Sequence, residues 1–482
     1  MRTIGTPSTQ ARKLNAIASG ALPNGDPVIV NADGTVSVVD ATSGPAGFGS
    51  SVVFNAANSR PTATAFDSNS NKVVIAYRDY GNSSYGTAIV GTVSGSSISF
   101  GTPVVFESDT IDYPAITFDS NSNKIVIAYK DEGNSNYGTA IVGTVSGSSI
   151  SFGSHAVFQP ANWFYADIVF DSSSNKVVIN YAASPNYYLY AIVGTVSGTS
   201  ISFGTPVQVA TNNSNQARST FDSSSNKVVL TYRGSSNYGT AIVGSVSGAS
   251  ISFGSPAVFD SESIDDLSIT FDSNSNKVVT SYRRTSSSNN GTSVVGTVSG
   301  SSISFGTPVD FFATSGGATD MSSAFNTSTN KVMLSYREGQ TGGLEFVSGT
   351  VSGTSISFSS PITFVDGAVS SPTMSSAFDS TGNNFIIAYA DSSNSTYGTA
   401  IVYAPTSTNL TSENYVGLAS NGYPDTATAT IDVQGAINDR QSGLTAGQSY
   451  YVQTDGTLDT TPASPSVFAG TAISATKIIV KG

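Results

Sequence analysis

Apolar and polar positions recur along this chain in one phrase. An aromatic residue is followed by Asp-Ser (once Asn-Thr), a short polar turn, and an apolar run ending in Tyr. The phrase is anchored at Phe66, Phe118, Phe170, Phe221, Phe271, Phe325 and Phe378, at spacings of 52, 52, 51, 50, 54 and 53 residues. In the second copy the pattern predicts four strands. Residues 115–118 form the first, and DSNSN turns the chain into the second, KIVIAY (124–129). That run is apolar on both faces, as in sheets covered on both sides. A variable loop leads to TAIVGTV (139–145), and Ser146-Gly147 makes a tight hairpin into the fourth strand, 149–158. A period near 50 residues built from strands is the mark of a β-propeller, one blade per repeat.

The number of strands implies how the ring closes. Fourth strands are marked by Phe-Gly or Phe-Ser at Phe100, Phe152, Phe203, Phe253, Phe305 and Phe358, whereas the seventh repeat breaks off after TAIV (399–402). The missing piece matches GFGSSVVF (47–54), near the other end. The expected fold is therefore all-β: a seven-bladed β-propeller over 46–405 closed by an N-terminal strand, plus a small β module built from both termini, 1–45 and 406–482. The two flanks resemble each other, SGALPNGDPVIVNADGTVSVV (19–39) beside QSGLTAGQSYYVQTDGTLDTT (441–461), each with an Asp-Gly hairpin. Chain direction puts the uniform DSNSNK and VSG turns on the face where the termini leave. The loops that vary between copies, such as RDYGNSSYG, AASPNYYLY and REGQTGGLE, fall on the opposite face.

Composition narrows the function classes. Only 11% of residues are charged and the net charge is -12, which speaks against nucleic acid as a partner, since phosphate binding needs clustered Lys and Arg. With no cysteine, disulfides and thiol chemistry are excluded. No apolar stretch approaches the roughly 18 residues of a membrane span, so no membrane insertion is expected. The opening MRTIGTPSTQARKLN lacks the apolar segment of a secretory leader, and export by that route is not expected.

Several residue sets are candidates for chemistry. The repeated Asp67, Asp119, Asp171, Asp222, Asp272 and Asp379 open D-x-N-x-N-like turns. Calcium loops need a central Gly and a distal Glu, but Arg78 stands eleven beyond Asp67, and the sixth repeat uses Asn326. Turn capping is the simpler reading. Arg78, Lys130, Arg233, Arg283 and Arg337 follow the strand-ending Tyr and form either a cationic rim or solvated partners of neighbours such as Asp79 and Asp131. Acidic loops hold Glu107, Asp109 and Asp112, and Asp260, Glu262, Asp265 and Asp266; paired carboxylates can hydrolyse glycosides at the right separation, but these sit in non-adjacent repeats. His155 is the only histidine, which speaks against a serine–histidine triad and a multi-histidine zinc site. No metal or cofactor is expected. The third repeat is the outlier, with Trp163, Phe164 and Tyr165 entering it and Tyr187, Tyr188 and Tyr190 in its next variable loop. Aromatics stack on sugars and anchor interfaces, so these six are the candidate ligand-binding residues, with local packing as the alternative.

The stretch 415–482, above all GLTAGQSYYVQTDGTL and AGTAISATKIIVK, resembles a module at the ends of virion proteins of marine and cyanobacterial tailed phages. ASGALPNGDPVIVNADGTV near the N-terminus is similar to the start of such proteins, and the FDSNSNKVVIAY repeat to repeats in phage structural proteins. The resemblance implies a non-enzymatic virion appendage assembled in the host cytoplasm. Its terminal module would dock on other virion proteins of capsid or tail. The propeller would be displayed for binding a host-surface glycan or protein. The rival expectations are a capsid decoration protein without receptor binding and a glycan-degrading depolymerase. No catalytic residue is implied.

Overall fold

A computed structural model describes residues 12–39, 47–211, 216–286, 289–314, 316–367, 369, 374–404, 409–411, 413–462 and 466–481. These form two compact units, Phe48–Tyr403 and a second drawn from Met1–Gly47 and Ala404–Gly482. The boundaries expected at 45/46 and 405/406 lie outside the described residues.

In the larger unit each repeat is an antiparallel sheet. In the second repeat, the latter half of Val104–Asp119 pairs with Lys124–Asp131, which pairs with Tyr137–Ser146. The fourth position is shared by Ser149–Phe152 and Ala156–Gln159. The second strand of each repeat is buried throughout, from Val73–Tyr77 to Phe385–Tyr389, as its two-faced apolar pattern requires. Several loops expected between fourth and first strands are instead continuous strand: Val52–Asp67, Val104–Asp119 and Ala257–Asp272 each serve two successive repeats.

The N-terminal segment pairs with the last repeat. Val52, Val53, Asn55 and Asn58 oppose Ala400, Thr399, Gly398 and Tyr397, and Gly49 N donates to the Val402 carbonyl at 2.9 Å. Phe48 packs against Phe364 at 4.4 Å and Tyr403 at 5.0 Å. First strands neighbour one another in chain order, and the seventh (Ser375–Asp379) neighbours the first (59–67). Thr64 Oγ1 and Ser375 Oγ meet at 2.7 Å across that last junction.

The Phe-Gly pairs explain how neighbouring repeats interlock. A Cβ on Gly49, Gly101, Gly153, Gly204, Gly254 or Gly306 would lie 1.8–1.9 Å from a carbonyl oxygen of the next repeat's VSG hairpin. Only glycine admits that approach. The sixth repeat has Phe358-Ser359 instead, and the seventh repeat, which follows it, lacks a VSG hairpin.

The terminal unit holds two five-stranded sheets. One runs Lys13–Ile17, Thr428–Asp432, Tyr415–Ala419, Pro27–Val30, Val36–Val38, and so mixes both ends of the chain. The other runs Ile437–Asn438, Lys477–Val480, Val467–Ser474, Ser449–Val452, Leu458–Asp459. Numbered along the chain, both have the order 1-5-4-2-3. Their hairpins are copies. Asp33 Oδ1 accepts from Thr35 N at 3.0 Å and Oγ1 at 2.7 Å, and Asp455 Oδ1 accepts from Thr457 N and Oγ1 at the same distances. The unit is a tandem pair, and the larger unit is inserted between the third and fourth strands of the first member.

Candidate functional site

At one end of each first strand the repeated Asp closes a turn. Asp119 Oδ1 accepts from Asn121 N at 2.9 Å and Ser122 N at 3.1 Å, and Oδ2 accepts from Ser122 Oγ at 2.7 Å. Asp67, Asp171, Asp222 and Asp272 do the same. Asn326 accepts both backbone donors through its amide oxygen, so the loop needs an oxygen and not a charge. Turn capping accounts for the set. Among the described residues no cluster of three or more metal-type ligands occurs.

The opposite end carries the chemistry. A cavity of about 530 Å³ opens there, lined by the starts of first strands from all seven repeats together with Arg78 and Tyr80. It is continuous through Thr62, Pro114, Ala166, Arg218, Met321 and Met374 with a second cavity of about 220 Å³ walled by first strands of all seven repeats. The mouth is shaped by a bulge at one register. Pairing skips between Ser59 and Thr62, Asp112 and Ala115, Phe164 and Ala166, Asp265 and Ser268, and Thr319 and Ser322. A bulge bends the strand and re-aims side chains. Tyr113, Tyr165, Asp266 and Asp320 stand at these skips with φ of +48°, +46°, +50° and +51°, Gln216 takes the same position in the fourth repeat with φ of +69°, and all five line the mouth. Left-handed conformation in a non-glycine residue costs about 1–2 kcal/mol and gathers at functional sites.

The electrostatics of the mouth are mixed. Arg283 grips Asp265 through two 2.7 Å hydrogen bonds and lies 3.2 Å from Asp266. Burial, then the neighbouring Asp265 carboxylate, pushes Asp266 up to about 6 against the opposing pull of Arg283. Gln216 Oε1 accepts from Asp266 N at 2.9 Å and ties the fourth repeat to the fifth. Deeper in, Asp167 is raised by burial although Arg218 opposes it, and Asp167 accepts from Ser219 N at 2.6 Å. Arg78 stacks on Tyr80 at 4.6 Å and approaches Glu132 at 4.0 Å. Among the described residues Arg60 pairs with no carboxylate.

The six aromatics of the third repeat separate. Trp163 is wholly buried against Phe158 at 5.6 Å and Tyr181 at 6.2 Å; its place in the ligand-binding set is corrected to core packing. Tyr190 stacks on Tyr181 at 5.9 Å and accepts from Gln208, and Tyr188 pairs opposite Ala183. Both lie outside the mouth lining. Phe164, Tyr165 and Tyr187 stay together: Phe164 stacks on Tyr187 at 4.8 Å, Tyr165 meets Tyr113 at 5.0 Å, and Lys130 Nζ sits 4.9 Å from the Phe164 ring. Tyr165 alone of the six reaches the mouth, beside Tyr113 and Tyr80, which the sequence reading passed over.

Asp112 also lines the mouth, whereas several other candidates are structural partners. Asp79 caps the turn after it by accepting from Gly81 N at 3.0 Å, and Asp131 does so from Asn134 N at 3.0 Å, so neither pairs with the rim bases. Arg337 Nε donates to the Val369 carbonyl. Glu107 accepts from Tyr129 Oη at 2.9 Å and lies 3.6 Å from His155, whereas Asp260 accepts from Tyr282 Oη and Arg284 Nε, both at 2.7 Å.

No family model matches the chain, and no curated protein matches it. Among solved structures, the BP39L lectin from Burkholderia pseudomallei is similar at 11% identity and a TM-score of 0.55, over 74% of this chain and 99% of the lectin. The periplasmic gluconolactonase PpgL of Pseudomonas aeruginosa matches at 11% identity and a TM-score of 0.48, over 74% and 98%. AofleA from Arthrobotrys oligospora gives 9% identity and a TM-score of 0.42, over 72% and 100%. At such identity the likeness to the lectin speaks for fold alone: the chain is all-β, of the β-propeller class.

Proposed function

We propose that this chain is a binding protein, a phage virion appendage whose propeller presents its mouth to a host-surface glycan or protein. The propeller is inferred to have seven blades closed by the N-terminal strand. The pairing of Val52–Asn58 with the seventh repeat and the return of the first-strand order to its start support that count. The observation that carries the binding role is the bulge. Five repeats hold bulky or polar side chains in a strained conformation at one register, all directed into one cavity. The resemblance of 415–482 to virion termini supports docking through the terminal unit. Deleting 411–482 removes seven of its ten strands, so virion incorporation should be lost while the propeller stays folded; normal incorporation of that truncation would end the docking role.

The binding test is retention of the full chain on arrayed bacterial surface polysaccharides. Replacing Arg60 and Tyr165 together with Ala should weaken retention at least about tenfold, the loss expected for an aromatic and a charged contact at a hot spot. Unchanged retention by a folded variant would sink the mouth as the binding site. A depolymerase is the second reading, favoured by Asp266 titrating near 6 beside Asp265 and Asp320. It requires polysaccharide chains to shorten during incubation, and intact chains decide for binding.

A further inference from the structure

Six of the seven fourth strands carry a phenylalanine at one register: Phe54, Phe106, Phe158, Phe259, Phe311 and Phe364. In five of them the ring lies 5.1–5.5 Å from the buried Tyr of the following repeat. The same five rings cover a third-strand glycine so closely that a Cβ there would meet ring carbons at 2.2–2.7 Å. At three junctions the next residue also accepts from that Tyr hydroxyl: Glu107 from Tyr129, Gln159 from Tyr181 and Asp260 from Tyr282, at 2.9, 3.1 and 2.7 Å.

The junction between the third and fourth repeats departs at all three positions. Val209 stands for the phenylalanine, Ala210 for the acceptor and Leu189 for the glycine. Tyr232, 3% exposed, therefore has no covering ring, and its hydroxyl has no hydrogen-bond partner among the described residues. In their place is a cavity of about 410 Å³, lined among others by Gln208, Val209, Tyr232, Ser235, Tyr238 and Thr240. Its volume falls within the range of about 300–1,000 Å³ of small-molecule sites. Burial pushes the Tyr232 phenol up to about 12, so it remains a neutral donor. Among the described residues no Asp, Glu, Lys, Arg or His lines the cavity, and a charged ligand would lose hydration there without gaining a partner from them.

We propose that this gap is a second site, separate from the mouth, and that it binds one residue of an uncharged saccharide. Val209 and the partly exposed Tyr238 ring offer an apolar surface for the C–H face of a sugar. The Tyr232 hydroxyl, the Gln208 amide and the Ser235 hydroxyl offer polar contacts for its hydroxyls.

Methyl glycosides of neutral hexoses and 6-deoxyhexoses, with methyl glucuronoside as the charged control, test this by saturation-transfer NMR on the full chain at millimolar ligand. The chain should take up at least one neutral glycoside and discriminate against the glucuronoside. Leu189→Gly, Val209→Phe and Ala210→Glu together rebuild the junction as the other repeats have it and fill the cavity. That variant should melt no lower than the parent and bind the glycoside at least about tenfold more weakly, the scale of a lost aromatic contact and hydrogen bond. Should it fold poorly, Tyr238→Ala and Tyr232→Phe carry the test, each with a severalfold loss. No neutral glycoside bound by the parent, a preference for the glucuronoside, or full binding by the filled variant would each overturn the proposal. The rebuilt junction leaves the mouth residues in place, so polysaccharide retention through Arg60 and Tyr165 is scored independently of it.

Discussion

Both ends of the first strands hold residues in the left-handed conformation, and the two ends choose them differently. At the capped turn the residue is Asn in all seven repeats, at 71, 123, 175, 226, 276, 330 and 383, with φ between +53° and +58°. Asn is the non-glycine residue that tolerates this region best. At the mouth the same kind of φ is imposed on Tyr, Tyr, Gln, Asp and Asp. The fold alone would have selected Asn or Gly there as well. Uniform chemistry at one end marks scaffold, and unlike side chains held at a fixed, strained geometry mark a surface that presents something.

The sharpest test of that division is a residue near the variable end that the structure nevertheless assigns to scaffold. Trp163→Ala empties a fully buried site and should cost about 3–5 kcal/mol, as large aromatic truncations in cores do, read as a lower denaturation midpoint. Polysaccharide retention of the folded fraction should be unchanged, and a selective loss of retention would put Trp163 back in the binding set. Next in size is the uniform end. Asp119→Ala leaves two backbone N–H groups and the Ser122 hydroxyl without their acceptor, for about 2–3 kcal/mol by denaturant titration. Asp119→Asn should recover most of it, because Asn326 serves the sixth repeat.

Asp266 turns the comparison into a pH dependence. Its carboxyl is raised from 3.8 to about 6 by burial and the adjacent Asp265. The folded protein thus keeps this proton to higher pH than the unfolded chain, and the associated stability is full below 3.8 and is lost as pH rises through about 6. Asp266→Asn should therefore gain about 1–2 kcal/mol at about pH 8, once the shift is discounted for partial exposure, and should differ little from the parent near pH 3.8. An equal gain at both pH values would mean that the carboxylate is not the source.

Much of this was legible in the chain. The aromatic-Asp-Ser phrase located every second strand, because a run apolar on both faces can only be buried, and the Asp caps follow from one oxygen two residues before the donor. The N-terminal match GFGSSVVF to the fourth-strand pattern anticipated the pairing with 397–400. The mouth was not legible. Its bulge has no Gly or Asn to betray a positive φ, and Tyr113, Gln216 and Asp320 look like ordinary loop residues until the fold brings them to one cavity with Asp266, which the sequence marked only as one carboxylate of an acidic loop. Trp163 was misleading for the opposite reason. Its rarity drew attention, yet an indole between Phe158 and Tyr181 is core. The empty junction was visible as Val209, Ala210 and Leu189 out of step with the other repeats, but it acquires meaning only once Phe106 is seen lying over Gly86 and Tyr129.

The smallest effect isolates the strain itself. Tyr165→Ala and Tyr165→Gly both remove the ring and its 5.0 Å contact with Tyr113, but only glycine relaxes a backbone held at φ +46°. The glycine variant should therefore be the more stable of the two by about 1 kcal/mol, a sign opposite to the usual cost of glycine in a strand. The same pair at Asn123, Asn→Ala and Asn→Gly, should show the same order, since φ there is +54°. The parents differentiate the two ends. Asn123 should be close to its glycine variant, whereas Tyr165 carries the strain and should lose stability on truncation only through its ring. If alanine and glycine at 165 melt together, the bulge is not strained, and the side chains at the mouth are there at no cost to the fold. Their divergence from Asn would then no longer argue for a binding surface.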